Sequence, residues 1–170
     1  MSMKTLVFAI LCAALPAAAQ NPISDGERFL YGLVKNNIIR SAEKVPDDVY
    51  AFKPAPEVKT FAQMLGHVAD ANYMFCAAVL GEKSPSPGVE KTMSSKDQIV
   101  PAVKAAFAYC DKAYEQMNDA EGVKIIKFFN RDMAKATVLG FNSFHTMEHY
   151  GNLVTYMRIK GIVPPSSEGR

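Results

Sequence analysis

The chain has 170 residues and a formal net charge of +2, from 19 Lys and Arg against 17 Asp and Glu. That length suits one domain with a single core, as a monomer or a homodimer, and no lysine or arginine run offers a surface for nucleic acid. Nor does any apolar run reach the ~20 residues of a comfortable membrane span.

The N-terminus has the order of a secretory signal peptide. One positive charge at Lys4 precedes an apolar run from Thr5 to Leu15. The small residues Ala17, Ala18 and Ala19 then lead to Gln20. Cleavage near Ala19 or Gln20 is expected, with 1–20 as the signal, 21–170 as the exported domain, and a periplasmic or secreted destination. Cys12 is not read as a lipid attachment site, because Ile10 and Leu11 before it are bulky; an uncleaved anchor is the alternative. Cys76 and Cys110 remain in the processed chain. An oxidising compartment permits a disulfide between them if their Cα atoms lie within ~7 Å, and two small buried hydrophobes are the equal alternative.

Four segments carry helical periodicity. The first opens at Ser24 with Glu27 three residues on, a capping-box pattern, and places Leu30, Leu33, Val34, Ile38 and Ile39 in a stripe that stops near Val45 and Pro46. The second opens at Thr60 with Gln63 in the reciprocal position and runs to Leu80, where Gly81 supplies a stop. The third opens near Ser95 with Gln98 and continues to about Met117. Pro101 predicts either a kink or a start closer to Ile99. The fourth begins between Asp132 and Thr137 and ends at Lys160, before Gly161 and the Pro164–Pro165 pair. Between the last two, 121–135 reads either as a short extended segment packed on the helices or as a helical extension. Four amphipathic segments with little strand signal predict an all-α four-helix bundle, and connections longer than ten residues allow at least one long crossover.

The chain has three histidines. His145 and His149 are spaced i, i+4 inside the fourth segment, which puts both imidazoles on one helical face. Phe141 and Asn152 continue that face, and burying two unpaired rings on it is costly unless a metal or another polar partner satisfies them. His67 lies in the second segment among Phe61, Met64, Leu65 and Val68. Three imidazoles from two segments facing one core point to a divalent-metal site with an open fourth position, zinc or nickel first and iron or manganese after them. Cys76, about 13.5 Å further along the helix than His67, is too distant to share the ion. Asp70 and Glu148 read chiefly as solvated carboxylates, with Asp70 as a candidate for orienting an imidazole or accepting a proton.

Two rival motifs fail. His145-Thr146-Met147-Glu148-His149 spells H-x-x-E-H, the inverzincin peptidase motif, but the further acidic ligand of that class has no counterpart beyond Glu168 in the tail. A carboxylate-bridged di-iron bundle needs paired Glu-x-x-His motifs, which the chain lacks.

The stretch Thr60-Phe61-Ala62-Gln63-Met64-Leu65-Gly66-His67-Val68-Ala69-Asp70-Ala71-Asn72 resembles the second-helix signature of the DinB-like superfamily. His145-Thr146-Met147-Glu148-His149-Tyr150-Gly151-Asn152-Leu153, with Tyr156-Met157-Arg158 and Gly161-Ile162-Val163-Pro164-Pro165, resembles its last-helix signature. Val45-Pro46 and Phe52-Lys53-Pro54-Ala55-Pro56 are similar too. The resemblance implies up-down-down-up order and His67, His145 and His149 as ligands of zinc, nickel or a similar ion. Some relatives are S-transferases that use low-molecular-weight thiols such as mycothiol or bacillithiol; others are hydrolases or isomerases. Many carry Arg-Gly-Gln after the last ligand, where this chain has Tyr150-Gly151-Asn152.

Three functions compete: a metal-dependent hydrolase or thiol-dependent transferase acting on a small molecule, a non-enzymatic metal- or ligand-binding bundle, and a metal-free bundle with satisfied histidines.

Overall fold

The computed structural model describes residues 20–169. The expected signal peptide, 1–20, lies outside them except for Gln20. Six helices and one small hairpin follow in order: α1 (Pro22–Lys44), α2 (Phe61–Leu80), α3 (Val89–Thr92), α4 (Lys96–Glu115), α5 (Asp119–Gly122), β1 (Ile125–Phe128), β2 (Arg131–Ala134) and α6 (Lys135–Ile159). No helix among the described residues is long and apolar enough to cross a membrane.

The four long helices form the bundle, in the order α1, α4, α2, α6 around its axis. Side-chain pairs set their directions. Ser24 meets Asp119, Lys35 meets Asp111 and Glu43 meets Lys104, so α1 and the chain leaving α4 run oppositely. Cys76 meets Cys110, while Val79 and Leu80 lie with Ala113 and Gln116, so α2 and α4 run in parallel. His67 meets His145 and Phe75 meets Phe141, so α6 opposes α2. The order is up-down-down-up, as the family resemblance implied. Ile38, Leu65, Phe107 and Leu153 are fully buried where the four helices meet.

The α2 start follows the expected reciprocal cap: Gln63 N–H donates to Thr60 Oγ1 at 3.1 Å, and Thr60 N–H donates to Gln63 Oε1 at 2.9 Å. Gly81 ends α2 in the left-handed conformation, φ 74°, which glycine adopts without steric cost. The α1 start differs from the expected Ser24–Glu27 box. The helix begins at Pro22, and Ser24 is buried. Its free N–H groups are met from across the chain: Asp119 accepts from Ser24 N–H at 2.8 Å, Ile23 N–H at 3.3 Å and the Ser24 hydroxyl at 2.8 Å. A helix start needs acceptors from any source, and α5 supplies one that outcompetes Glu27. The third long helix starts at Lys96 and continues through Pro101, so the later start near Ile99 is overturned.

Cys76 and Cys110 form a disulfide with a Cα–Cα distance of 5.3 Å, across a sequence separation of 34. Closing a loop of that size stabilises the fold by about 3–4 kcal/mol, by restricting the unfolded chain. Beside it lies a buried polar layer. Asn142 Nδ2 donates to Asn72 Oδ1 at 3.1 Å and to the Tyr114 hydroxyl at 3.2 Å, joining α2, α4 and α6 within one turn of His145.

Region 121–135 follows the extended alternative rather than the helical one, with two strands in place of a single segment. It holds the end of α5 and then an antiparallel hairpin, with Phe128 paired to Arg131 and Ile125 to Ala134. Its turn residues, Phe129 and Asn130, both have positive φ, 47° and 58°. This is the backbone of a two-residue hairpin turn, normally occupied by Asn-Gly or Asp-Gly.

Candidate metal centre

Parallel α2 and α4 force the chain between them to return along the length of α2. That return carries α3 back to the first turns of α2 and lays Glu90 beside His67. Gly66 makes the approach possible: a Cβ there would stand 2.7 Å from Glu90 Cα and 2.8 Å from Glu90 N. Asp70, one turn on, holds the returning segment. Its Oδ1 accepts from Val89 N–H at 2.8 Å and from the Ser86 hydroxyl, and its Oδ2 accepts from Glu90 N–H at 3.0 Å. Asp70 is therefore not the solvated carboxylate expected from sequence; it anchors the residue that orients His67.

Glu90 Oε2 lies 2.8 Å from His67 Nδ1, and Oε1 pairs with Lys59. Burial pushes the Glu90 carboxyl up, but the hydrogen bonds from Lys59 and His67 outweigh it and hold the group below its ordinary value. An ionised Glu90 accepts from Nδ1–H and leaves the His67 Nε2 lone pair directed at the opposite helix.

There it meets the other two rings. His67 Nε2 is 3.3 Å from His145 Nε2, and His149 Nε2 is 3.1 Å from the same atom. One ligand atom from each histidine falls within 4.8 Å of the others, and among the described residues these three form the cluster. Nitrogens about 2.0–2.1 Å from a tetrahedral ion stand about 3.3–3.4 Å apart, close to the observed spacings. Protonation also suits a metal. Burial first, then the neighbouring imidazoles, pulls His145 down to about 4; burial, His67 and Lys59 do the same to His149. Both rings are neutral near pH 7, the form that ligates. Their Nδ1 atoms are buried with no hydrogen-bond partner, so only His67 has its ring fixed from behind. The donor set and its spacing fit one divalent ion.

The other expectations resolve by position. Glu148 is exposed. Cys76 is bonded to Cys110 and takes no part in the cluster. Tyr150, at the position of the family's arginine, is buried, and its hydroxyl donates to Ser166 Oγ at 2.8 Å, tying down the C-terminal tail. Sequence reasoning missed Glu90 and Lys59. Glu90 sits in a segment without periodicity. The one available signal was Gly66 inside an otherwise regular helix, a residue that costs about 1 kcal/mol there and so marks a close approach.

A helical bundle that converges three imidazoles from two antiparallel helices defines a class of candidate metalloproteins. Within that class the chain belongs to the DinB superfamily, whose model matches residues 33–153. The uncharacterized protein YjoA of Bacillus subtilis (strain 168) is 26% identical over 124 residues, covering 71% of this chain and 79% of YjoA. The crystal structure of YjoA superposes with a TM-score of 0.67 at 20% identity, covering 88% of this chain and all of that one. A DinB-like protein from Bacillus cereus ATCC 10987 superposes with a TM-score of 0.71 at 17% identity, over 83% and 95% of the two chains. A mutant of the mycothiol-dependent maleylpyruvate isomerase does so at 0.61 and 18% identity, over 76% and 60%.

Proposed function

We propose that this protein is a metal-dependent enzyme of the hydrolytic type, acting on a small molecule, with one zinc or nickel ion held by His67, His145 and His149. The observation that carries the reading is the convergence of three imidazoles, with the Nε2 atoms of His67 and His149 at 3.3 and 3.1 Å from that of His145 and, among the described residues, no fourth protein donor in the cluster. When bound, such an ion supplies Lewis acidity, bringing the pKa of a water towards neutrality or polarising a carbonyl. The chain's own residues then have separate roles. His145 and His149 stay neutral because they are half-buried. Glu90 holds the His67 ring and its tautomer, and Lys59 keeps Glu90 ionised.

The Cys76–Cys110 disulfide supports an oxidising compartment, and with it the export expected from the N-terminus. Reduced low-molecular-weight thiols are scarce in such a compartment, which favours hydrolysis. The likeness to the mycothiol-dependent isomerase supports a second reading, a thiol-dependent transfer at the same histidines. The two separate by a simple requirement: hydrolysis proceeds without added thiol.

Elemental analysis of protein purified from its native host tests the site. About one divalent ion per chain is expected in the wild type and only a trace in His149→Ala. Equal trace metal in both would remove the reading. Chelator-sensitive turnover of simple esters, amides or lactams without thiol would then separate an enzyme from a metal-binding bundle.

A further inference from the structure

The two sides of the histidine cluster differ in chemistry. Towards the start of α2 lie Lys59 and Glu90, charged and already paired. Towards the hairpin lie four phenyl rings. Phe75 stands 5.7 Å from the His145 ring, 5.0 Å from Phe128 and 5.1 Å from Phe141. Phe129 completes the group at 4.2 Å from Phe128, 6.3 Å from Phe141 and 6.4 Å from Phe75. Phe75 and Phe128 are 1% and 6% exposed, whereas Phe129 is 58% exposed. The cluster is thus packed at its base and open at its outer ring.

Phe129 also occupies a conformation that disfavours it. At φ 47° in the first central position of the hairpin turn, the Cβ of a bulky residue crowds its own backbone, a contact that glycine lacks and that asparagine offsets by local hydrogen bonding. The turn has no need of a phenyl ring, so the ring's use lies on the side it faces.

We propose that Phe129 and Phe141, carried on the packed base of Phe75 and Phe128, form an apolar subsite seating an aromatic or bulky apolar group of a ligand whose polar head reaches His67, His145 and His149. This rests on the metal-site reading above and adds the chemical class of the ligand. The paired charges of Lys59 and Glu90 leave the hairpin side as the direction for an apolar tail. The uncovered face of an aromatic ring accepts a further ring in stacked or edge-on geometry, at a centroid distance of about 4.5–7 Å.

Cobalt-loaded protein tests it, with acetohydroxamate and 3-phenylpropanohydroxamate as probes and the visible cobalt spectrum as readout. The aryl compound is expected to bind about tenfold more tightly, the order of effect that burying one phenyl ring produces. Phe129→Gly relieves the turn, so its Tm should hold or rise, while the preference for the aryl probe falls to about threefold or less. Equal affinities in wild type, with a normal cobalt spectrum, overturn the subsite and leave the metal site standing. Phe129→Gly that lowers Tm and keeps the full preference makes the ring structural, and also overturns it. Absence of any cobalt band removes the metal site, and the subsite with it.

Discussion

The connection from α2 to α4 (81–95) and that from α4 to α6 (116–134) both border the histidine cluster, one with charge and the other with rings. In the first, Asp70 meets the backbone of Val89 and Glu90, and Glu90 meets both Lys59 and His67. In the second, the turn residues hold left-handed backbone, and Phe129 and Ile125 stand in solvent, at 58% and 63% exposure. The contrast separates two tasks of a binding site. Orienting an imidazole needs a polar partner held to a few tenths of an ångström, which only a closed set of hydrogen bonds provides. Meeting an apolar ligand needs surface left uncovered, and tight local hydrogen bonding would add nothing to it.

Three substitutions can break or sharpen this contrast. Gly66→Ala should have the largest effect, because the added methyl meets Glu90 backbone rather than a flexible side chain. A loss of about 1–3 kcal/mol is expected, a fall in Tm of several degrees, together with metal affinity at least as weak as in the next variant. Unchanged Tm and unchanged metal binding would mean that α3 does not need its close seat on α2. Glu90→Gln should keep the fold but weaken metal binding by about 10–100-fold, the usual effect of altering a residue that orients a ligating histidine. Calorimetric titration of zinc into the metal-free protein measures it, and an affinity within twofold of wild type would detach Glu90 from the site. Asn130→Gly should have the smallest effect. It relaxes the second left-handed residue of the hairpin and should stabilise by about 0.5–1 kcal/mol without touching metal affinity. A change in metal affinity there would couple the hairpin to the histidines and end the division of labour between the two connections.

Much of this was legible in the chain. The Thr60–Gln63 cap and the Gly81 stop bounded α2 because both act within one turn of their own residues. His145 and His149 could be placed together because i, i+4 spacing needs no knowledge of the rest of the fold. The Ser24–Glu27 box misled for the converse reason: its pattern is local, but Asp119, almost a hundred residues away, reached the same N–H groups. The hairpin escaped notice because its turn is Phe129-Asn130, without the glycine that marks such turns.

By itself the sequence determined the four long helices, the polar cap of α2 and the identity of the three imidazoles, since periodicity and local capping are properties of neighbouring residues. The tertiary structure alone decided that the rings meet, that Cys76 bonds Cys110, and that Glu90 rather than Asp70 touches His67. Those outcomes follow from antiparallel packing of α6 on α2 and from the long return that two parallel helices impose. No local pattern encodes either: each depends on where distant segments come to rest.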